Sequence, residues 1–370
     1  MSVTGNTTLS FSEDQAMLMD VAREFCRDKS PIDVVRQYLE KGRGYDESVW
    51  QDMIGLGWTG IALPEACGGS GLGIAALVPV VEAMGRSLLT TPLVSTALAG
   101  QVLHRAGAPE DVLARLAEGE AATVAWLENA DWGDHSVNVT LDANGVLGGR
   151  KRFVSDAEAA SLFVIPALRE GEPVLALVSA DAMHAGAMTA NTLIDQTRRS
   201  ADLELDGVVA SIVVDGPRVS AALSEGRLLG ALLVAAEATG SAAACLDTVV
   251  EYLKTRKQFG KLIGSYQALK HPAVDILLNM DSSRSLVYHA ATLLSDAPLD
   301  HDAEVACRMA KVQASETLCY AGDRAVQFHG GMGFTYECDA QLYIRRAQWS
   351  QQQFGDPQHH RKRLAALLLD

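Results

Sequence analysis

The sequence predicts a mainly helical α+β protein in three parts. These are a helical N-terminal domain over residues 1–120, a small antiparallel β-barrel-like middle domain over 121–222, and a C-terminal four-helix bundle over 223–370. Three observations carry that expectation. The 370 residues are 48% hydrophobic, enough to fill two or three cores. Apolar residues recur at helical spacing up to about residue 120 and again from Ser224 onward. Between them the pattern changes to short alternating runs with no crossover helices, which argues for antiparallel pairing.

In the first part, SEDQAMLMDVAREFCRDK opens with Ser12 as candidate N-cap and Gln15 at the capping-box position. Met17, Leu18, Val21, Ala22 and Phe25 follow at helical spacing. GWTGIALPEACGGSGLG, Gly57 to Gly73, interrupts the period with glycines and a proline and reads as a loop. IAALVPVVEAMGRSLL resumes a helix with Pro79 near its start. In the middle part, HSVNVTLDANGVLGGRKRFVS alternates around Asn144-Gly145, a two-residue hairpin signal. SLFVIPAL, PVLALVSA, ADLELDGVVAS and SIVVDG add strand-like runs. The last part shows helical segments over 224–255, 267–296, 302–329 and from about 337, joined by short turns as in an antiparallel bundle.

Composition narrows the function classes. A net charge of −15 argues against nucleic acid and anionic membranes as partners. The longest apolar run, LLGALLVAAEATGSAAACL from Leu228 to Leu246, contains Glu237, which argues against a bilayer span. The first twenty residues lack the basic and apolar regions of a signal peptide, so a cytoplasmic protein is expected. The six cysteines form no CxxC pair and no zinc-like set with histidine, and read as small buried hydrophobes. His359-His360 reads as a solvated helix end rather than a metal site, and no metal is expected.

Two stretches suggest chemistry. TRKQFGKLIGSYQALKHPAVDI, Thr255 to Ile276, gathers Arg256, Lys257 and Lys261 around Phe259-Gly260 at the end of a helix. Cations at a helix C-terminus are favourable in themselves. The aromatic and the glycines add the features of a clamp for an anion and a ring. QFHGGMGF repeats the theme, because Gly330, Gly331 and Gly333 let backbone amides approach a ligand.

With those residues in view, the whole chain resembles the acyl-CoA dehydrogenase family. The resemblance rests on GWTGIALPEACGGSGLG, RKQFGKLIGSYQALKH and QFHGGMGFTYECDAQLYIRRA, in that order along nearly all 370 residues. It implies FAD as cofactor, held in part by the bundle loops of a neighbouring subunit. Arg256 would bind the pyrophosphate and Phe259 would pack near the adenosine. Gln267, Gln327, Gly330 and Gly331 would contact the adenine, ribose and pyrophosphate region. KRFVS resembles the segment beside the isoalloxazine, where Phe153 would stack on the ring and Ser155 would bond near N5. The implied activity is α,β-desaturation of an acyl-CoA thioester, with a carboxylate taking the α-proton and hydride passing to flavin N5. The implied assembly is a homodimer, homotetramer or heterotetramer with a related chain, and the implied acceptor is an electron-transferring flavoprotein.

The chain departs from the family at the base. One usual glutamate position falls on Phe354 and the other on Gly230. Glu237 and Asp356 remain as candidate bases. Glu237 lies seven residues beyond Gly230, or ~10 Å along a helix at 1.5 Å per residue, and could equally meet an arginine. Asp356 could equally cap its loop. The family's Gly-Ser-Asp loop is absent from VAWLENADWGDHSVNV, although Glu128 is kept. Trp126 and Trp132 there could line the site but read first as packing of the β domain, and Arg227 could touch the CoA pyrophosphate or a polar group beside the thioester but reads first as a surface salt bridge. Two functions therefore stand: an active FAD-dependent acyl-CoA dehydrogenase with a displaced base, and a non-catalytic partner subunit that contributes half of the FAD site of a heteromer.

Overall fold

The structure is a computed structural model that describes residues 13–41, 45–295 and 297–369. The candidate cap at Ser12 and the side chain of Gln15 lie outside the described residues. The first part consists of α1 (Glu13–Lys29), α2 (Ile32–Lys41), α3 (Glu47–Gly55), α4 (Leu77–Arg86), α5 (Leu93–Ala106) and α6 (Glu110–Ala117). Asp46 caps α3 by accepting the Ser48 amide at 2.8 Å. Residues 56–73 form turns around a single short 3₁₀ turn, as the glycines and Pro64 require.

The middle part has nine strands: β1 (Ala122–Val124), β2 (Thr140–Leu141), β3 (Leu147–Gly148), β4 (Arg150–Ser155), β5 (Leu162–Arg169), β6 (Glu172–Ser179), β7 (Met188–Ala190), β8 (Ser200–Glu204) and β9 (Ile212–Val214). One sheet runs β3-β2-β5-β6-β9 with β1 also on β5, and a second runs β4-β8-β7. The hairpin at Asn144-Gly145 forms as expected, joining β2 to β3. The expectation of purely antiparallel pairing needs correction. β1 and β2 both lie parallel to β5, through Ala122–Leu162 and Thr140–Leu168. β1 reaches the sheet directly from the helical part, so no crossover helix within the sheet announces it.

β5 and β6 are buried on both faces. Leu162, Val164, Leu175 and Leu177 face a core shared with α5 and α6. Phe163, Ile165, Ala176 and Val178 face a second core closed by Val154 of β4 and by Ala201 and Leu203 of β8. This double burial explains their near-continuous apolar sequences. The two sheets enclose one core without closing into a barrel.

The last part contains α7 (Val219–Thr255), α8 (Gln267–Thr292), α9 (His301–His329), α10 (Ala340–Gln352) and α11 (Pro357–Leu369). At 37 residues, α7 spans about 55 Å. It is long and apolar enough to cross a membrane by length and composition, but its most apolar window lies entirely inside the protein. The single helix expected from about 337 is two helices. Phe354 (φ 58°) and Gly355 (φ 101°) take left-handed conformations that end α10, and Pro357 starts α11. Lys311, fully buried on α9, caps α10 by donating to the carbonyls of Ser350 and Gln351 at 2.9 and 3.1 Å. The six cysteines are free, and all but Cys319 are fully buried.

α4 and α7 cross backbone to backbone. A Cβ on Gly240 would lie 1.9 Å from the Glu82 carbonyl, and one on Gly85 would lie 2.0 Å from the Glu237 carbonyl. Ser241 Oγ donates to the Gly85 carbonyl at 2.8 Å across the same contact. A Gly240→Ala variant should therefore lose about 3 kcal/mol of stability through overpacking. Urea unfolding with a wild-type midpoint for this variant would contradict the close crossing.

Candidate functional site

Two separate groups of residues carry the expected chemistry. The first lies at one end of the bundle, where α7 and α9 finish and α8 begins. Lys257–Gln258 pairs with Lys261–Leu262 in a minimal hairpin whose tip is Phe259-Gly260. Phe259 is left-handed (φ 52°) and 91% exposed, a large ring held out into solvent by its own turn. Tyr252 of α7 stacks on His329 of α9 with centroids 4.1 Å apart, which ties this hairpin to the second glycine turn. Arg256, Phe259, Gln267, Gln327, Gly330 and Gly331 are all exposed here. Nothing lies within 4 Å of where a Cβ on Gly330 or Gly331 would sit. Arg256, Lys257 and Lys261 have no ion-pair partner among the described residues. The donor set is cationic, open and aromatic-tipped, so it fits the phosphates and a ring of a dinucleotide.

The second group lies between β4 and α10. Phe153 and Ser155 line an open cleft with Trp132, with Trp349 of α10 and with Gln353 just beyond it. Arg152 sits over the Phe153 ring at 5.1 Å. Glu128 anchors the loop that follows it, accepting the amides of Asn138 and Val139 at 2.8 and 3.1 Å and the Lys151 ammonium at 2.7 Å. Burial raises the Glu128 carboxyl, but Lys151 and the Val139 amide outweigh it and leave the pKa lowered. The retained glutamate is thus a loop anchor.

Gly230 and Arg256, the residue that caps the end of α7, are 26 residues apart (256 − 230), about 39 Å along the helix axis.

The two positions at which the family resemblance expects a base, Gly230 and Phe354, face each other. A Cβ on Gly230 would lie 2.6 Å from the Phe354 ring. Trp126 and Trp132 meet that ring edge-on at 5.8 and 5.2 Å. Both tryptophans therefore wall the site instead of only packing the β domain. Phe354 forms part of the wall of two cavities, one toward β4 and α5 and one toward α9 and α11.

Glu237 is buried beneath the first cavity. It accepts from Arg346 Nη1 at 2.6 Å and pairs with Arg198. Arg346 is completely buried, and it also donates to Asp195 at 2.5 Å and to Thr197 at 2.6 Å. Trp349 lies 4.8 Å beneath Arg198. Burial, then Arg346, pushes Arg198 down to about 9. Of the alternatives for Glu237, the geometry is the arginine-bound one. Asp356 accepts the His359 amide at 2.7 Å and caps α11. His360 is 1% exposed, so the expectation of a solvated helix end is wrong: Arg308 and the turn at Phe354 enclose the ring. Arg227 is also buried, and among the described residues it makes no salt bridge. It lies over Trp126 at 5.2 Å.

Reading the sequence missed Asp156, Arg198 and Arg346. Asp156 follows Ser155, lines the first cavity and is bound by the Ser95 hydroxyl. Burial raises its pKa. Its place directly after KRFVS was a signal. Arg198 and Arg346 gave none, because their shared partner Glu237 is 39 and 109 residues away along the chain (237 − 198 and 346 − 237).

This arrangement of a helical part, a pair of sheets and a helical bundle recurs in known proteins. Residues 12–120 match the acyl-CoA dehydrogenase N-terminal domain and residues 218–369 the acyl-CoA dehydrogenase C-terminal domain. Acyl-CoA dehydrogenase IpdE2 of Mycolicibacterium smegmatis is 30% identical over 356 residues, covering 96% of this chain and 99% of its own. The Tcur3481-Tcur3483 steroid ACAD, solved as a variant, superposes with a TM-score of 0.84 at 28% identity over 96% of this chain and 98% of that one. The ChsE4-ChsE5 complex from Mycobacterium tuberculosis gives 0.86 at 23% identity over 98% and 99%, a likeness of fold. The chain belongs to the acyl-CoA dehydrogenase family.

Proposed function

We propose that this chain is the non-catalytic subunit of a heteromeric acyl-CoA dehydrogenase and contributes half of the FAD site to a related, catalytic chain. The observation that carries the reading is the contact between Phe354 and Gly230, which fills both base positions with a ring and the space made for it. The three carboxylates lining the cavities beside that ring are all engaged: Glu237 with Arg346 and Arg198, Asp156 with Ser95, and Glu304 with Arg308. The cradle is the intact half. Arg256 would hold the pyrophosphate with its planar fork, and Phe259 would cover the adenosine. Gln267, Gln327, Gly330 and Gly331 would bind adenine, ribose and phosphate oxygens. FAD, when bound, supplies a hydride acceptor. This chain's residues bind and orient it, and Glu237 and Glu304 beside Phe354 are tied up in ion pairs with arginines. Two of the similar structures are named as pairs of chains, which supports the heteromeric form.

One observation favours a second reading, an independently active dehydrogenase. The cleft at Phe153 and Ser155 is open, and Asp156 beside it has the upward-shifted pKa that a base needs. Purifying the chain alone and with a related chain separates the two readings. Colourless protein that gains FAD and turns over acyl-CoA thioesters only with its partner supports the proposal. Yellow protein that bleaches with an acyl-CoA, and loses that response in Asp156→Asn, overturns it.

A further inference from the structure

The segment that leaves the second glycine turn is held from outside the bundle. Residues 330–339 run from the end of α9 to the start of α10, and Met332, Phe334 and Tyr336 along them are exposed. Within the bundle the segment packs at Gly333 and Cys338. A Cβ on Gly333 would lie 2.3 Å from the Val326 carbonyl, and Cys338 is buried. A further hold comes from the N-terminal part. Arg36 of α2 donates through Nε and Nη2 to Asp339 Oδ1 at 3.1 and 2.6 Å, and through Nη1 to the Tyr336 carbonyl. Arg345 of α10 lies 5.0 Å from the centre of the Tyr336 ring. Residue 336 is thus braced through its backbone by one arginine and through its ring by another.

The stability of α10 does not explain the contact. Asp339 occupies the N-cap of α10, where an aspartate ordinarily accepts an amide of the first turn. Its side chain makes no such bond. It faces Arg36 instead, and a cation beside a helix N-terminus is unfavourable in itself. The two side chains are 28% and 36% exposed, so water screens much of their attraction. What the arginine supplies is direction: one planar guanidinium fixes a carboxylate and a carbonyl three residues apart.

We propose that Arg36 is a positioning residue for the flavin cradle, holding the segment behind Gly330 and Gly331 so that their amides stay presented to the cofactor's phosphates. The role rests on the cradle being half of an FAD site. Nothing lies within 4 Å of where a Cβ on Gly330 or Gly331 would sit, so their direction is set by what holds their flanks. The Tyr252–His329 stack holds one flank and Arg36 the other. Coupling between two sites is reciprocal, so FAD at the cradle should also steady α2.

Flavin release from the chain assembled with its related chain and loaded with FAD tests this, followed by fluorescence with oligomer size read by gel filtration. Arg36→Gln should release flavin about five- to tenfold faster from an oligomer of unchanged size. Arg36→Lys keeps a charge for Asp339 but not the fork, and should fall between Arg36→Gln and wild type. FAD should slow hydrogen exchange in α2 of the wild type and not in Arg36→Gln. Wild-type release from Arg36→Gln, while Arg256→Ala loses flavin, overturns the proposal and leaves the cradle standing. Full flavin content in Arg256→Ala overturns the reading of the cradle and this proposal with it. Release that tracks breakdown of the oligomer marks a purely structural tie and overturns the positioning role. If Arg36→Gln does not fold, Asp339→Asn decides in the same way, because it removes the carboxylate and keeps a side chain suited to an N-cap.

Discussion

Replacing Arg346 with leucine should remove about 3–5 kcal/mol of folding stability, the largest loss expected from any single side chain here. The guanidinium is fully buried and holds Asp195, Glu237 and Thr197 at 2.5, 2.6 and 2.6 Å. Without it two carboxylates stay buried with only Arg198 to share. Burial raises the Asp195 carboxyl, but Arg346 outweighs that and leaves it lowered. A lowered carboxyl contributes stability above its unfolded pKa and loses it as the pH falls. In the variant burial dominates, the carboxyl moves upward, and the deficit should shrink as the pH falls below 7. Glu237→Gln should cost less, because an amide oxygen still accepts from Arg346. Urea denaturation at two pH values checks both statements, and a wild-type midpoint for Arg346→Leu would remove the network from the stability of the fold.

The second large effect is expected at the cradle. Arg256→Ala should weaken FAD retention by the assembled oligomer about 10–100-fold, the range for removing a charge-assisted bond to phosphate. Arg256 is exposed and its side chain makes no ion pair among the described residues, so unfolding should be unchanged. The flavin-to-protein ratio after gel filtration reads the first, and the thermal midpoint reads the second. Full flavin content in the variant would detach Arg256 from the cofactor.

Much of this was legible in the sequence because it is local. The hairpin at Asn144-Gly145, the loop over 57–73 and the cradle residues 256–267 and 327–331 are each written in one short stretch. Strand runs such as SLFVIPAL announced themselves through their length, but not their parallel neighbour, because β1 enters from another part of the chain. The base positions were visible as a phenylalanine and a glycine. That they touch was not, since 124 residues separate them (354 − 230). Glu237 stood out as an acid in an apolar helix, and only the fold supplied its arginines. Arg227 and His360 looked like surface residues on composition alone, while the packing of α7, α9 and α11 buries them.

The interlock of Gly230 with Phe354 also constrains how this chain could change over generations. A glutamate arriving first at 230 would meet the ring and strain or expel the loop, so selection should reject it in that order. A glutamate at 354 arriving first is smaller than the ring it replaces and leaves a void beside 230. Any lineage that regained a proton acceptor here would have entered through 354, and descendants carrying bulk at 230 should already have lost the aromatic residue opposite.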